Sequence, residues 1–230
     1  MHSSDDPFAG VARFAALVTG EASATPLDEA ALAIAAVLRP AVDVDEAITA
    51  LDTLAGDCPS PTFEGVRRHL YETIGFGGDP AGPDDPRNSF LDLVLARRRG
   101  LPILLATVMM EVGRRVGVPV EGVNMPMHFL VRDAEGDGRY LDPVSGRLLD
   151  GDGVRVLFDS MAQGRLPWTE RHLRTVPTRH VVIRILTNLQ AGYQRRPDPV
   201  RLALVARLRA AIPELAQETP TAVRLSAVFN

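Results

Sequence analysis

The sequence contains no lysine, and all 25 of its basic residues are arginine. This absence excludes Schiff-base catalysis by a lysine and phosphate-binding loops of the lysine type. Cysteine is nearly absent as well, because Cys58 is the only one. A single thiol can form neither an internal disulfide nor a cysteine-rich zinc site, which agrees with a reducing compartment. We therefore expect a cytoplasmic protein.

Long apolar runs and an excess of positive charge are also lacking. The longest apolar run, "LPILLATVMM", ends at Glu111 and is too short to span a bilayer. The N-terminus has no basic stretch followed by an apolar segment, so no signal peptide is predicted. The net charge of −4 gives no basic surface of the kind that nucleic-acid-binding domains carry. Neither a membrane nor a nucleic acid is expected as a partner.

What the sequence does have is helical periodicity at both ends and a change of period between them. Four stretches between about residues 8 and 74 repeat apolar positions at intervals of three and four. The stretch "GFGGDPAGPDDPRNS" then predicts a loop, followed by two helices, of which the second runs from about Pro102 to Val116. After Pro119 the period becomes two in "VEGVN", "HFLVR" and "RYLDP", which predicts short strands before helices return.

This pattern predicts an α+β fold in which a buried helix packs on a small antiparallel sheet, with helices from both ends of the chain around it. Three segments follow along the sequence. Residues 1–83 form an N-terminal helical region, 84–150 the core, and 151–230 a C-terminal helical region with one helical hairpin. The four-residue stretch "NMPM" brings His128 to the second predicted strand, and Asp142 ends the third. Antiparallel neighbours would bring the two side chains into hydrogen-bond contact.

The run "DDPRNSFLDLVLARRRGLPILLATVMMEVGRRVGVPVEGVNMPMHFLVR…YLDPVSGRLL" resembles the bacterial SirB-type branch of the transglutaminase-like superfamily. The resemblance implies a papain-like core and, downstream, helices of the tetratricopeptide type, of which this sequence holds one hairpin. It also implies a catalytic triad in which a thiol at the helix start is the nucleophile, His128 the base and Asp142 the residue that orients the ring.

The sequence departs from that pattern at the nucleophile. The helix start reads Pro102-Ile103-Leu104-Leu105, so the position near Ile103 and Leu104 is apolar. Met127 stands where the family usually has glycine, which is expected to narrow any cleft at His128. Cys58 belongs to the upstream helical region, and we interpret it as a thiol at a helix end or in a loop.

Other polar residues have simpler interpretations. Asn88 and Ser89 are expected to cap a helix, although Asn88, Arg99 and Met127 are also candidates for ligand binding. Ser89 as a nucleophile is a remote alternative. His128 and Asp142 supply two metal ligands where catalytic zinc usually needs three, so no metal and no cofactor are expected.

Three functional hypotheses follow. The first is a pseudoenzyme that keeps His128 and Asp142 as a relic dyad and binds a protein or a small molecule. The second is a hydrolase or transferase in which His128, oriented by Asp142, acts as a general base without a covalent cysteine step. The third is a helical adaptor that binds through its flanking helices. The first two differ in whether the cleft beside His128 is open or is filled by Met127 and Leu104.

Overall fold

A computed structural model of the chain describes residues 7–216. The outer ends of the first and last predicted segments, including the tail "PTAVRLSAVFN", lie outside these residues. The α-helices in chain order are α1 (Pro7–Val18), α2 (Leu27–Leu38), α3 (Val44–Gly56), α4 (Phe63–Arg67), α5 (Leu91–Arg97), α6 (Pro102–Arg115), α7 (Gly151–Ala162), α8 (Thr178–Arg195) and α9 (Pro199–Ala210). None of the described helices is both long enough and apolar enough to cross a membrane.

The strands form one antiparallel sheet in the order β4-β3-β2-β1-β5. They are β1 (Val120–Val123), β2 (Leu130–Asp133), β3 (Tyr140–Asp142), β4 (Arg147–Leu149) and β5 (Thr175–Val176). The first three follow the period-two stretches. The predicted α+β class with a buried helix on a small antiparallel sheet is therefore confirmed.

Helix α6 lies at the centre of the fold. Its residues from Ile103 to Gly113 are all buried, which explains why the sequence is apolar around the whole helix and not on one stripe. The main apolar core also contains Phe14 from α1, Leu51 from α3, and Leu186 from α8. The three predicted segments thus contribute to one continuous core.

Several details differ from the sequence-based expectations. The fourth predicted helix is α-helical only to Arg67 and continues as a π-helix, Arg68–Ile74. Strands β4 and β5 were not predicted, because three- and two-residue strands are too short to show a period. His128 was placed on β2 but precedes it, in a turn that starts the strand at Leu130.

The start of α5 is a further correction. Ser89 and Asn88 do not cap it, since Phe90 holds the N-cap position and makes no side-chain capping bond. Residues Pro86–Ser89 instead form a separate 3-10 turn, capped by Asp85. The helix ends at Arg97, and Arg98 follows in a left-handed conformation.

Candidate functional site

His128 and Asp142 form a buried pair, as the strand pattern predicted. The imidazole Nε2 lies 2.8 Å from Asp142 Oδ1, and the two side chains are 8 % and 11 % exposed. The turn before β2 supplies the histidine and the end of β3 supplies the aspartate. The catalytic role that the resemblance implies for the pair stays a prediction.

The protonation of the pair follows from the surroundings of Asp142. Burial would raise the pKa of this carboxyl, but hydrogen bonds from His128, Ser145 and the Val144 N–H outweigh burial, so the pKa lies below its usual value. An ionised carboxylate only accepts hydrogen bonds, so Nε2 of His128 must be the protonated donor. In a neutral imidazole, Nδ1 then carries the free lone pair and can accept a proton or a hydrogen bond.

The turn after β3 aims the Asp142 carboxylate. Ser145 Oγ donates to Oδ2 at 2.6 Å, the Val144 N–H donates to Oδ1 at 3.0 Å, and the Gly146 N–H donates to the Asp142 carbonyl at 2.8 Å. Gly146 has a φ of +69°, a conformation that favours glycine. The "DPVSG" stretch is therefore a turn whose hydrogen bonds orient the Asp142 carboxylate.

The N-terminal segment supports this turn from outside. Arg67 Nη1 donates to the Gly146 carbonyl at 3.0 Å, and the Gly78 N–H donates to the Val144 carbonyl at 3.0 Å. Tyr71 packs against Gly146, and burial together with the charge of Asp142 raises the pKa of the Tyr71 hydroxyl far above its usual value. Arg67, Tyr71 and Gly78 thus support the turn that follows Asp142, although they lie more than sixty residues before it.

A cavity of about 730 Å³ opens beside His128. Its lining includes the start of α6, the turn before β2, the loop before α5, and the adjoining ends of α8 and α9. Leu101, Pro102 and Ile103 form the α6 part of the wall, and none of these side chains is nucleophilic. Ser89 also lines the cavity, but within residues 7–216 it makes no side-chain hydrogen bond to His128.

The cavity beside His128 is open. Leu104 is 1 % exposed and belongs to the main core, not to the cavity wall. Met127 does line the cavity, and its side chain is 42 % exposed. Its backbone is left-handed, with φ +65°, a conformation that a glycine adopts without steric cost. Met127 therefore forms part of the wall without filling the space.

Comparison with known proteins agrees with this architecture. A family model described as the transglutaminase-like superfamily matches residues 29–187, more than half of the chain. The chain belongs to the transglutaminase-like superfamily. A UPF0162 protein of Pseudomonas aeruginosa is 33 % identical over 183 residues, which cover 76 % of this chain and 67 % of the relative. A UPF0162 protein of Xylella fastidiosa is 40 % identical over 134 residues, 56 % of this chain and 47 % of the relative.

Human F-box only protein 21 is similar over a shorter region, with 34 % identity over 84 residues, 36 % of this chain and 13 % of that protein. The chain thus spans about half the length of the Xylella relative. No solved structure matches the present chain. The finer placement in the SirB-type branch of the transglutaminase-like superfamily stays a prediction.

Two of the predicted ligand-binding residues lie elsewhere in this transglutaminase-like core. Asn88 is fully buried; its Nδ2 donates to the Gly82 carbonyl, and its Oδ1 accepts from Arg97 at 2.8 Å. Its carbonyl accepts from the Leu101 N–H at 3.0 Å, so Asn88 fixes the start of α6. Arg99 donates to the Gly75 carbonyl and is not part of the cavity wall. Neither residue lines the cavity beside His128, and the ligand-binding role predicted for them stays a prediction.

Cys58 also lies away from the cavity wall. Its Sγ donates to the Ser60 carbonyl at 3.3 Å, just after the end of α3. This agrees with its interpretation as a thiol at a helix end. Within residues 7–216, no three His, Cys, Asp or Glu residues are grouped so that they could hold a metal ion.

Arg184 on α8 is a charged residue of the cavity wall that the sequence analysis missed. Its guanidinium donates from Nη1 to Asn124 Oδ1 at 2.7 Å and from Nε to Asn188 Oδ1 at 3.4 Å. The available signal was a single charged residue inside the apolar stretch "VVIRIL". Asn124 begins the "NMPMH" stretch, so the contact joins Arg184 to the segment that carries His128.

Proposed function

We propose that this chain is a ligand-binding member of the transglutaminase-like superfamily that performs no thiol chemistry. The observation that supports this function best is the start of α6, where Leu101, Pro102 and Ile103 face the cavity beside His128. Covalent attack on an amide carbonyl needs a nucleophile that the histidine can activate, and no base can activate an alkyl side chain. The same residues leave an open space for a bound molecule.

The size and the lining of the cavity support a small organic ligand. Ligand pockets usually enclose about 300–1,000 Å³ and combine apolar walls with a few polar groups. Here Phe90, Leu93 and Leu101 provide apolar surface, while His128 and Arg184 provide polar groups. His128 Nδ1 is the ring nitrogen left for the ligand, because Nε2 is bound to Asp142.

The test of the proposed function is a pair of assays on the purified protein. The protein is incubated with a thiol-directed activity probe and, separately, with an amine-incorporation substrate. We expect no amine incorporation above that of buffer, and labelling of Cys58 that is the same in the wild type and in His128→Ala. Turnover that disappears in both Cys58→Ser and His128→Ala would overturn the proposal.

A second candidate function is hydrolysis or group transfer with His128 as a general base. It is favoured by the hydrogen bond from Nε2 to Asp142 Oδ1 at 2.8 Å, which orients the ring and leaves the Nδ1 lone pair for a water molecule or a substrate hydroxyl. This function needs no thiol, so the apolar start of α6 does not argue against it.

Hydrolysis of a panel of activated esters and amides distinguishes the two functions. General-base catalysis predicts that His128→Ala lowers the rate by about 10²- to 10⁴-fold and that Asp142→Asn lowers it as well. Ser89→Ala is the matched control, because Ser89 lines the same cavity. Retained turnover in this variant means that water is the nucleophile, whereas lost turnover identifies Ser89 as the nucleophile. Equal rates in all variants and in buffer favour the binding protein.

A further inference from the structure

Arg184 is a half-buried cation in the cavity wall with no carboxylate partner among residues 7–216. Its two hydrogen-bond acceptors, Asn124 Oδ1 and Asn188 Oδ1, are neutral amide oxygens. A buried charge without a counter-ion is costly, and burial lowers the pKa of Arg184 below its usual value. The folded protein therefore has an uncompensated positive charge, that of Arg184, in the cavity wall.

Other arginines of the same wall differ from Arg184 in this respect. Arg39 pairs with Asp92 at 2.7 Å, Arg87 with Asp85 at 2.6 Å, and Arg201 with Asp198 at 2.6 Å. Their charges are neutralised locally. Arg196 also has no carboxylate partner among residues 7–216, but it is exposed, whereas Arg184 is half-buried between the start of the "NMPMH" stretch and its own helix.

The lining as a whole has an excess of positive charge. It contains six arginines, of which four pair with an aspartate of the lining or with Asp92, so Arg184 and Arg196 are left without a carboxylate partner among residues 7–216. The lining therefore has a local excess of positive charge, although the net charge of the chain is −4. A concave site with charges of one sign attracts ligands of the opposite sign.

The guanidinium of Arg184 also has N–H donors that make no hydrogen bond within residues 7–216. Arginine carries five N–H donors in a planar fork, and the two amide contacts use one on Nη1 and the one on Nε. Within the described part of the chain, Nη2 makes no hydrogen bond. A planar fork with free terminal donors matches the two oxygens of a carboxylate or a phosphate.

We propose that the cavity binds an organic anion, a carboxylate or phosphate ester, whose oxyanion is held by Arg184 while the rest of the molecule extends toward His128. This inference rests on the proposed function and names the class of ligand. Asn124 and Asn188 act as positioning residues, because they orient the guanidinium without competing for its charge. The apolar side chains of the wall then contact the uncharged part of the ligand.

The experiment measures binding of three probes to the folded protein by calorimetry: inorganic phosphate, glutarate, and glutaramide as the uncharged analogue of glutarate. We expect saturable binding of at least one anion, and binding of glutaramide weaker by about tenfold or more, since hydrogen bonds between charged partners are the stronger ones. The preferred anion identifies the oxyanion as phosphate or carboxylate.

Two substitutions of Arg184 and one control test the residue itself. Arg184→Gln should weaken anion binding about tenfold or more, and Arg184→Lys should recover part of it, because lysine keeps the charge but lacks the planar fork. Arg155→Gln makes the same change in net charge on an exposed part of α7, outside the cavity wall, and should bind anions as the wild type does. Should Arg184→Gln fail to fold, Arg184→Lys and the glutaramide comparison still decide the question.

The outcomes separate this inference from the proposed function. Anion binding that is equal in the wild type and in Arg184→Gln overturns the inference, and so does the absence of saturable binding of either anion. Binding of glutaramide as tight as that of glutarate also overturns it but leaves the ligand-binding function intact. Amine incorporation that depends on Cys58 overturns the proposed function and does not bear on the charge of the ligand.

Discussion

The two ends of α6 treat buried charge in opposite ways. At its C-terminal end, Arg115 donates to Asp28 at 2.6 Å, to Glu111 at 2.7 Å and to Asp52 at 2.7 Å. This cluster joins α2, α3 and α6, and each of its buried charges meets an opposite one. At the N-terminal end, the hydrogen bonds of Arg184 within residues 7–216 go to neutral amide oxygens, and one ring nitrogen of His128 is left after its bond to Asp142.

The difference separates charges that are compensated within the fold from charges that the proposed ligand would compensate. In a closed cluster the charged groups bind each other and not a substrate. Removing one member of the cluster lowers the free energy of unfolding. A buried charge without a counter-ion lowers the stability of the free protein, and a ligand that binds this charge raises the stability again. One end of α6 thus has compensated charges, and the other is the end where we propose that a ligand binds.

The largest expected effect comes from breaking the closed end. Arg115→Met removes a partner that Asp28 and Glu111 share, and the side chains of these two residues are 6 % and 4 % exposed. The two buried carboxylates then keep only Arg114, which is 61 % exposed, as a cation within ion-pair distance among residues 7–216. We expect a loss of about 3–5 kcal/mol in the free energy of unfolding, measured by urea denaturation. Arg114→Met is the control, because Arg114 is 61 % exposed and should contribute less than about 1 kcal/mol. Equal losses in the two variants would contradict the idea of a closed cluster.

A smaller effect is expected from the turn that aims Asp142. A Cβ at Gly146 would lie 2.8 Å from Tyr71 Cβ at a φ of +69°, so Gly146→Ala adds a clash to a strained backbone. We expect a loss of about 2 kcal/mol or more in the free energy of unfolding, together with weaker ligand binding. Gly138→Ala separates the two causes, since φ is +81° there but the space is open, and its loss should stay near 1 kcal/mol. If Gly146→Ala lowers the free energy of unfolding no more than Gly138→Ala does, the Tyr71 side chain moves aside to make room for the new methyl group.

The two ends also predict opposite responses to pH. Burial would raise the pKa of Asp142, but its hydrogen bonds lower it, so the stability contributed by this carboxylate is present above its unfolded pKa of about 3.9 and lost as the pH falls through the folded value. Burial and the charge of Asp28 raise the pKa of Glu111, so its contribution is present below the unfolded pKa and lost as the pH rises through the folded value.

Urea unfolding of Asp142→Asn and Glu111→Gln between neutral pH and about pH 3 tests this contrast. The cost of Asp142→Asn should be greatest at neutral pH and shrink toward acid pH. The cost of Glu111→Gln should change in the other direction and be greatest at acid pH. Costs that follow the same trend in both variants would remove the distinction between the two carboxylates.

The sequence predicts the part of this structure that depends on long periodic patterns. The spacing of apolar residues in the sequence predicts helix α6, the strands after Pro119 and the hairpin of α8 and α9. The pairing of His128 with Asp142 was also predictable, because β2 and β3 are neighbours, and the residue that ends β3 lies close to the turn that leads into β2.

What could not be predicted depends on contacts between distant parts of the chain. The contact of Arg184 with Asn124 joins residues 60 positions apart. The contacts of Asn88 with Gly82 and Arg97 are closer in sequence, six and nine positions away, but no periodic pattern links the three residues. The missing counter-ion of Arg184 is a property of the folded surroundings, so no local pattern could reveal it.

The smallest expected effect sharpens the comparison by testing a residue that belongs to neither end of α6. Cys58 Sγ donates to the Ser60 carbonyl at 3.3 Å, and a serine hydroxyl can donate to the same oxygen. Cys58→Ser should therefore change the free energy of unfolding by no more than about 0.5 kcal/mol and leave anion binding unchanged. Urea denaturation and calorimetry with glutarate check the two expectations. A large loss of binding would mean that the thiol reaches the cavity in solution, and the assignment of ligand chemistry to the N-terminal end of α6 alone would then fail.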